Sequence, residues 1–354
     1  MRLLIITQKV NLHDDVLGFF HYWLEEFSKQ FDSIVVICLE SGEYHLPDNV
    51  KVCSLGKERR PSAQGLNKFF NRLSYLFRFY FFCFKWRRDY DAVFVHMNHN
   101  YIIWGWWLWR LLGKKIGLWY AHGAVPVSLK ITENLADIIF TSTPTGFNLP
   151  SQKLKIVGQG IDTERFKPVS DSRLETFVII TVGRIAPGKH QEILLAVAKN
   201  LQSKKLAFKI KVAGLPILEK DKEYFANLKK QTIEQGLAPV IDFVGSIDHD
   251  QIVPFYQQAD LFVNFSDTGS FDKAILEAMS CGLFVLSSNE AVKRELGERC
   301  YVAKDPAMIA DKIVALSRSA RPSDLRPYVI ANHSLTNLIT KISKIYDRSF
   351  SYDN

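Results

Sequence analysis

The sequence predicts two α/β domains, each a parallel sheet covered by helices on both faces. Three observations carry that expectation. The chain has 354 residues, beyond the roughly 100–150 of a usual single domain. Short β-rich runs alternate with helical patterns along its whole length, the alternation that parallel sheets require. A polar, turn-rich segment, GQGIDTERFKP at residues 158–168, falls near the midpoint and reads as a hinge region.

The elements follow in order. MRLLIIT has an apolar run of four, too short for a signal peptide, and reads as a buried first strand. Residues 3–7, 34–39, 92–96, 116–120, 138–142 and 155–157 read as strands of the first half. Residues 177–182, 208–213, 241–244, 261–265 and 284–287 read as strands of the second, with helical stretches such as 191–202 and 275–281 between them. Residues 335–350 read as a final helix. The expected domains are 1–165 and 166–334, with residues 335–354 returning onto the first.

Composition is ordinary for a globular chain, at 47% apolar and 23% charged. The five cysteines (Cys38, Cys53, Cys83, Cys281, Cys300) form no CxxC pair and read as reduced thiols of a cytoplasmic protein. The net charge of +8 is local: residues 57–88 hold nine basic side chains and one acid, Glu58, and the remainder is balanced. An anionic partner would therefore meet the chain at that segment.

The same segment is aromatic. Leu66, Phe69, Phe70, Leu73, Leu76, Phe77, Tyr80, Phe81 and Phe84 follow helical spacing, and this stripe is expected to face the first sheet. Phe79, Phe82 and Cys83 widen the apolar surface, while Lys68, Arg72, Arg78 and Lys85 flank it. The charges argue against a spanning helix. Residues 102–112, IIWGWWLWRLL, hold four of the seven tryptophans. Aromatics in excess among cations predict contact with an anionic membrane surface through 66–88 and 102–112, peripheral at the inner face. A helix that serves only the core is the alternative; nucleic acid is not expected.

Ligands of open parallel sheets bind beyond the carboxyl ends of the strands. Gln8, Asn11, Gly18, Asn98, His99 and His122 occupy such positions in the first half. Gly183, Arg184, Gly214, Gly245, Ser246 and the loop from Ser266 to Gly269 occupy them in the second. TVGRIAPGK at 181–189 ends a strand with Gly-Arg and places Lys189 just before a helix. Arg offers bidentate hydrogen bonds to phosphate and Lys a point charge, both beside a helix N-terminus; a solvated loop with two cations is the plain alternative. SDTGSFDKAILEAMSCG at 266–282 runs from a Gly/Ser loop into a helix with one acid, Glu277, on an otherwise apolar face. Amide groups at that helix start can hold phosphate oxygens. The acid needs a partner such as ribose hydroxyls if it is buried, or is an ordinary exposed glutamate.

Other patterns are weaker. Asp248-His249-Asp250 has DxD spacing, but it opens a helix, where Asp248 as N-cap is the expected role. His96 and His99 lack supporting Cys for a zinc site. No GxGxxG follows the first strand, which weakens a nicotinamide reading.

Together these segments resemble the nucleotide-sugar half of glycosyltransferase family 4, the large retaining family. The carriers are VGR and Lys189, VAG at 212–214, DFVGSI at 242–247, ADLFVNFS at 259–266 and LEAMSCG at 276–282, with GIDTERFKP at 160–168 and HDDVLGFFHYW at 13–23 as looser matches. The resemblance implies the GT-B fold, two Rossmann-like domains with parallel sheets facing a central cleft. It implies retaining transfer of a hexose-type sugar from a nucleotide diphosphate sugar such as a UDP-sugar, with no cofactor and no obligatory metal. Arg184 and Lys189 would contact the donor diphosphate and Glu277 its ribose. Gly183, Gly214, Gly245, Ser246, Ser270 and Phe271 would line the nucleotide-sugar site. Gly18 would lie near the phosphates and His122 near the transferred sugar.

Two positions differ from the family pattern. The acid eight residues before the ribose-binding Glu is Gly269 here; the nearest acids are Asp267 and Asp272. We expect Asp272 to contact the donor sugar, against the alternatives that it only supports its helix or that Asp267 serves. The loop after the first strand keeps one glycine, Gly18, in place of two or more. With the membrane patch, the expected acceptor is a saccharide or lipid-linked saccharide in surface polysaccharide synthesis. A GT-B-type sugar-nucleotide epimerase and a non-catalytic, sugar-nucleotide-binding partner protein are the rival functions.

Overall fold

The computed structural model describes residues 1–14, 16–59, 66–169, 176–248, 251–267 and 271–351, without the side chains of residues 66, 68 and 351. The chain divides into two units, residues 1–160 with 333–354, and residues 161–332.

The first unit carries seven strands: β1 (Arg2–Val10), β2 (Ser33–Ser41), β3 (Val50–Ser54), β4 (Ala92–His96), β5 (Lys115–Trp119), β6 (Ile138–Thr141) and β7 (Leu154–Ile156). They pair in the order β3-β2-β1-β4-β5-β6-β7, all parallel. Its helices are α1 (Phe19–Ser28), α2 (Leu66–Lys85), α3 (Asn100–Leu111), α4 (Val127–Leu135) and a terminal helix, Leu335–Ser351. The alternation of side chains along a strand feeds two cores. Leu3 and Ile5 bury with α1 and the terminal helix. Leu4 and Ile6 bury with α2, α3 and α4. Tyr346 ties the terminal helix to the sheet by donating its hydroxyl to the Val93 carbonyl at 2.8 Å.

The second unit has five parallel strands, β8 (Phe177–Val182), β9 (Phe208–Ala213), β10 (Ile241–Gly245), β11 (Leu261–Asn264) and β12 (Phe284–Ser287). Their order is β10-β9-β8-β11-β12. Helices α5 (Ile193–Ser203), α6 (Glu219–Glu234), α7 (Ile252–Gln257), α8 (Lys273–Ser280), α9 (Glu290–Leu296), α10 (Pro306–Ser317) and α11 (Leu325–His333) cover it. One face packs α5, α6 and α10; the other packs α7, α8, α9 and α11. Local sequence explains the helix starts where caps are present: the Asp305 carboxylate accepts from the amides of Ala307 and Met308 at 2.9 and 2.8 Å, with Pro306 at the first helical position. In both sheets the strand order reverses beside the first strand, β1 or β8, where crevices form in such folds.

Three expectations are corrected. The edge strand β3 was not expected; it is five residues long with lysine facing out, too short and polar for the periodicity to show. Asp248 is not the N-cap of α7: Gln251 is, and the Asp248 carbonyl accepts its amide at 2.8 Å. His249 and Asp250 lie outside the described residues. On α2 most of the aromatic stripe faces outward, while its Leu76 and Tyr80 pack partly against the core. Phe79 and Cys83 are fully buried, whereas Phe69, Phe70, Leu73, Phe77, Phe81 and Phe84 are 47–74% exposed. The helix is apolar nearly all round, so spacing alone could not choose between its two faces. The tryptophan segment splits likewise: Trp109 is buried, while Trp104 and Trp107 are 43% and 52% exposed. No described helix is long and apolar enough to cross a membrane.

Candidate functional site

In the second unit, the polar chemistry collects where β8, β9 and β11 end. Gly183 follows β8 at φ +144° and Gly214 follows β9 at φ +137°, conformations that a side chain would strain. A Cβ on Gly214 would stand 2.0 Å from the Gly183 carbonyl oxygen, so the two loops touch through bare backbone. A Cβ on Gly183 would meet nothing within 4 Å; the space above this strand end is open. Gly245 accepts from the Gly214 amide at 2.7 Å, and Ser246 follows it, exposed.

The loop leaving β8 presents the two cations. Arg184 is about half-exposed, with its Nε 3.9 Å from the buried Asp221 carboxylate. Its carbonyl is held by the Gln191 side-chain amide at 3.1 Å. Lys189 closes the short turn Pro187–Lys189. Its Nζ donates to Asp272 Oδ2 at 2.8 Å and to Ser266 Oγ at 3.3 Å. His190 follows in the left-handed region, with one ring nitrogen on Asp267 and the other 3.1 Å from Glu192 Oε1. Burial pulls the His190 imidazolium down, but the bonds to Asp267 and Glu192 prevail and its pKa is raised. Asp267, bonded to Lys304 and His190, is lowered. The Asp267 amide also donates to the Gly188 carbonyl at 3.2 Å, which stitches the β11 loop to the β8 loop.

Phe271, buried, anchors the entry to α8. Asp272 is the N-cap residue of that helix, yet its side chain makes no capping bond. Its Oδ2 accepts instead from Lys189 and from Asn264 Nδ2 at 2.9 Å. The carboxylate thus holds the cation of the neighbouring loop, and any support it gives its helix is through its charge at the N-terminus rather than a capping bond. One turn on, Glu277 is buried. Tyr256 donates its hydroxyl to Glu277 Oε2 at 2.9 Å, and Lys273 Nζ lies 3.7 Å from Oε1. A buried carboxylate is tolerable only with such partners. Burial raises the Tyr256 phenol well above its usual range, so it remains a donor that fixes the Glu277 rotamer. Burial lowers Lys273 to about 8, against the pull of Glu277.

The structure therefore brings Gly183, Arg184, Lys189, Gly214, Gly245, Ser246, Phe271, Asp272 and Glu277 to the carboxyl-end loops of one sheet and the helix that follows. Ser270, with Gly269, lies outside the described residues. Gly18 and His122 belong to the first unit. Gly18 begins α1, where a Cβ would stand 2.6 Å from the Asp14 oxygen and 2.8 Å from the Leu12 oxygen; close packing of its own loop already demands glycine. His122 is exposed, its Nδ1 accepting from the Ala124 amide at 3.0 Å. It lines a cavity of 670 Å³ with Gln8, Asn98, His99 and Tyr120. His96 is buried against Phe20 at 4.1 Å between ring centroids, and His99 bonds Ser128 Oγ at 2.7 Å. Among the described residues no group of three or more His, Cys, Asp or Glu could hold a metal.

Sequence reasoning missed Tyr256, Lys273 and His190. Lys273 stands four residues before Glu277, a spacing that puts the pair on one helix face. Tyr256 comes from another helix, and no pattern in the chain announces its approach.

Residues 162–321 match the family described as glycosyl transferases group 1. Among curated proteins, the chain is 23% identical over 208 residues to the phosphatidylinositol N-acetylglucosaminyltransferase GPI3 subunit of Saccharomyces cerevisiae, covering 57% of this chain and 41% of that protein. It is 25% identical over 179 residues to the sulfoquinovosyl transferase SQD2 of Arabidopsis thaliana, covering 48% and 32%. The chain thus matches less than half the length of these relatives. Among solved structures, Anabaena HepE in complex with UDP and glucose superposes with a TM-score of 0.75 at 16% identity, over 98% of this chain and 99% of that one. The fold is accordingly the GT-B fold expected from the sequence.

Proposed function

We proceed from a chain whose second unit matches the glycosyl transferases group 1 family, and we propose that it moves a sugar from a nucleoside diphosphate donor to a saccharide or lipid-linked saccharide with retention of anomeric configuration. The single observation that carries the reading is the Lys189–Asp272 ion pair beside an open strand end: a cation at a helix start, held by an internal carboxylate that a diphosphate can replace.

Each group then has a task. Arg184 and Lys189 meet the charge that grows on the departing diphosphate, aided by the helix dipole where α8 begins. Each charge-assisted contact is worth roughly 1.5–3 kcal/mol and more as charge develops. Glu277, aimed by Tyr256, accepts from the ribose hydroxyls. Asp272, still held by Asn264 once Lys189 turns to phosphate, accepts from a hydroxyl of the donor sugar. In a front-side path the leaving phosphate itself takes the acceptor proton, so no strong dedicated base is needed. The exposed aromatics of α2 and α3 with their cations support work at an anionic membrane surface, with the acceptor presented there.

Incubating the purified chain with UDP-glucose and other UDP- and GDP-sugars tests the reading. Transfer or slow donor hydrolysis supports it. Tight binding without turnover would favour a non-catalytic binding protein, and an epimerised nucleotide sugar would favour the epimerase; either outcome overturns it.

A further inference from the structure

The first unit holds a second hollow besides the one at His122. It is a groove of 870 Å³ lined by Leu39 and Leu55 from the sheet side and by Phe69, Leu73, Leu76 and Phe79 from α2. That volume falls within the roughly 300–1,000 Å³ of ligand pockets, which are mostly apolar with a few placed polar groups. Here the polar groups include two cations, Lys57 and Arg72. Lys57 Nζ lies 3.5 Å from Glu40. Arg72 is exposed, with no ion-pair or hydrogen-bond partner among the described residues. Asn98 lines both this groove and the His122 cavity, so the two are neighbours across that side chain. The groove also borders an apolar ridge: Phe69 and Phe70 are each 59% exposed and Phe77 is 74% exposed.

A water-soluble saccharide has no use for such a wall, and an uncharged lipid none for the cations. We propose that this groove binds the acceptor as a phosphate-bearing amphiphile. Its phosphate is met by Arg72 and Lys57, its apolar chain runs along Phe69, Leu73 and Leu76 toward the exposed ridge, and its saccharide passes Asn98 into the cavity of His122. The proposal rests on the transferase reading and names its acceptor class. Polar and apolar ends of one molecule meet matching ends of one groove, and the chain emerges where the surface is already apolar.

The test uses the full chain and dodecyl phosphate below its micelle-forming concentration, with titration calorimetry as the readout. Saturable binding is expected, at least tenfold tighter than for dodecyl maltoside or inorganic phosphate. Arg72→Glu and Leu73→Glu, both at exposed positions, should each weaken it at least tenfold while leaving the thermal shift by UDP unchanged. Equal binding by both variants, or equal affinity for dodecyl maltoside or inorganic phosphate, would overturn the groove. Displacement of dodecyl phosphate by phosphatidylglycerol vesicles at equal lipid phosphate would mark a site for bulk membrane lipid and overturn the acceptor assignment. A chain that answers UDP but not dodecyl phosphate loses the groove and keeps the proposed function. One that binds dodecyl phosphate but no nucleotide loses the function.

Discussion

The two units share one architecture and spend it differently. In the second, the strand ends are bare glycine backbone with the cations already paired: Lys189 on Asp272, and Lys304 and His190 on Asp267. In the first, two cavities share Asn98 in their walls, and an outward face of aromatics stands beside them on α2 and α3. Parallel sheets of one kind thus carry a polar, ion-paired surface in one unit and a largely apolar surface with flanking cations in the other. Internal ion pairs keep the anion site's cations in fixed positions before ligand arrives, and exchange of a carboxylate for a phosphate costs little reorganisation. On the apolar surface, Phe69, Phe70, Leu73, Phe77, Phe81 and Phe84 of α2 are each about half-exposed or more.

The strongest way to sharpen this contrast is Asp272→Asn. It removes the internal rival for Lys189 and, in our account, the contact to the donor sugar. Free UDP should bind at least as tightly as before, while transfer falls by roughly a hundredfold, the scale of one transition-state contact. Unchanged transfer, with loss of transfer in Asp267→Asn, would move the role to Asp267.

That prediction depends on a feature the sequence did not show. The glycines, cations and helix start of the second unit were legible because each sits at a fixed place in a strand–loop–helix string. Their pairing was not, because Asp272 meets Lys189 across 83 residues, with Asn264 at the end of β11 sharing the same oxygen. Nor could Glu277 be told from an exposed helical acid without Tyr256. In the first unit the aromatic helix was legible as amphipathic but not as to which face is buried, since Phe79 and Cys83 lie on a stripe as apolar as its rival.

The membrane side of the comparison is broken or kept by vesicle flotation. Each Lys or Arg near an anionic surface contributes about 1 kcal/mol. Binding should fall with salt and with Arg72, Arg78, Arg87 and Arg88 changed together to Gln. Arg78 donates to the Leu55 carbonyl and Arg87 to the Phe84 carbonyl, so Arg72 and Arg88 should carry most of the loss. Equal binding to neutral and anionic vesicles would reject the electrostatic part.

The smallest effect concerns pH. His190 has a raised pKa, so its interaction with Asp267 and Glu192 is fully present below the unfolded value of about 6.5 and is lost as pH rises through the folded value. Asp267, lowered, stays ionised throughout that window. UDP affinity should decline a few-fold as His190 loses its proton, and His190→Gln should flatten the decline. A wild-type profile that is already flat would detach His190 from the loop.

The central claim is that the loop from Gly183 to Lys189 holds the donor diphosphate. The most direct measurement is thermal unfolding with and without UDP for the unaltered chain, Arg184→Ala and Lys189→Ala. A saturating ligand stabilises by mass action, about 2.7 kcal/mol at a hundred times its Kd. A concentration-dependent rise in Tm is expected for the unaltered chain, with most of that rise lost in each variant. Two folded variants that respond to UDP as fully as the unaltered chain would contradict it.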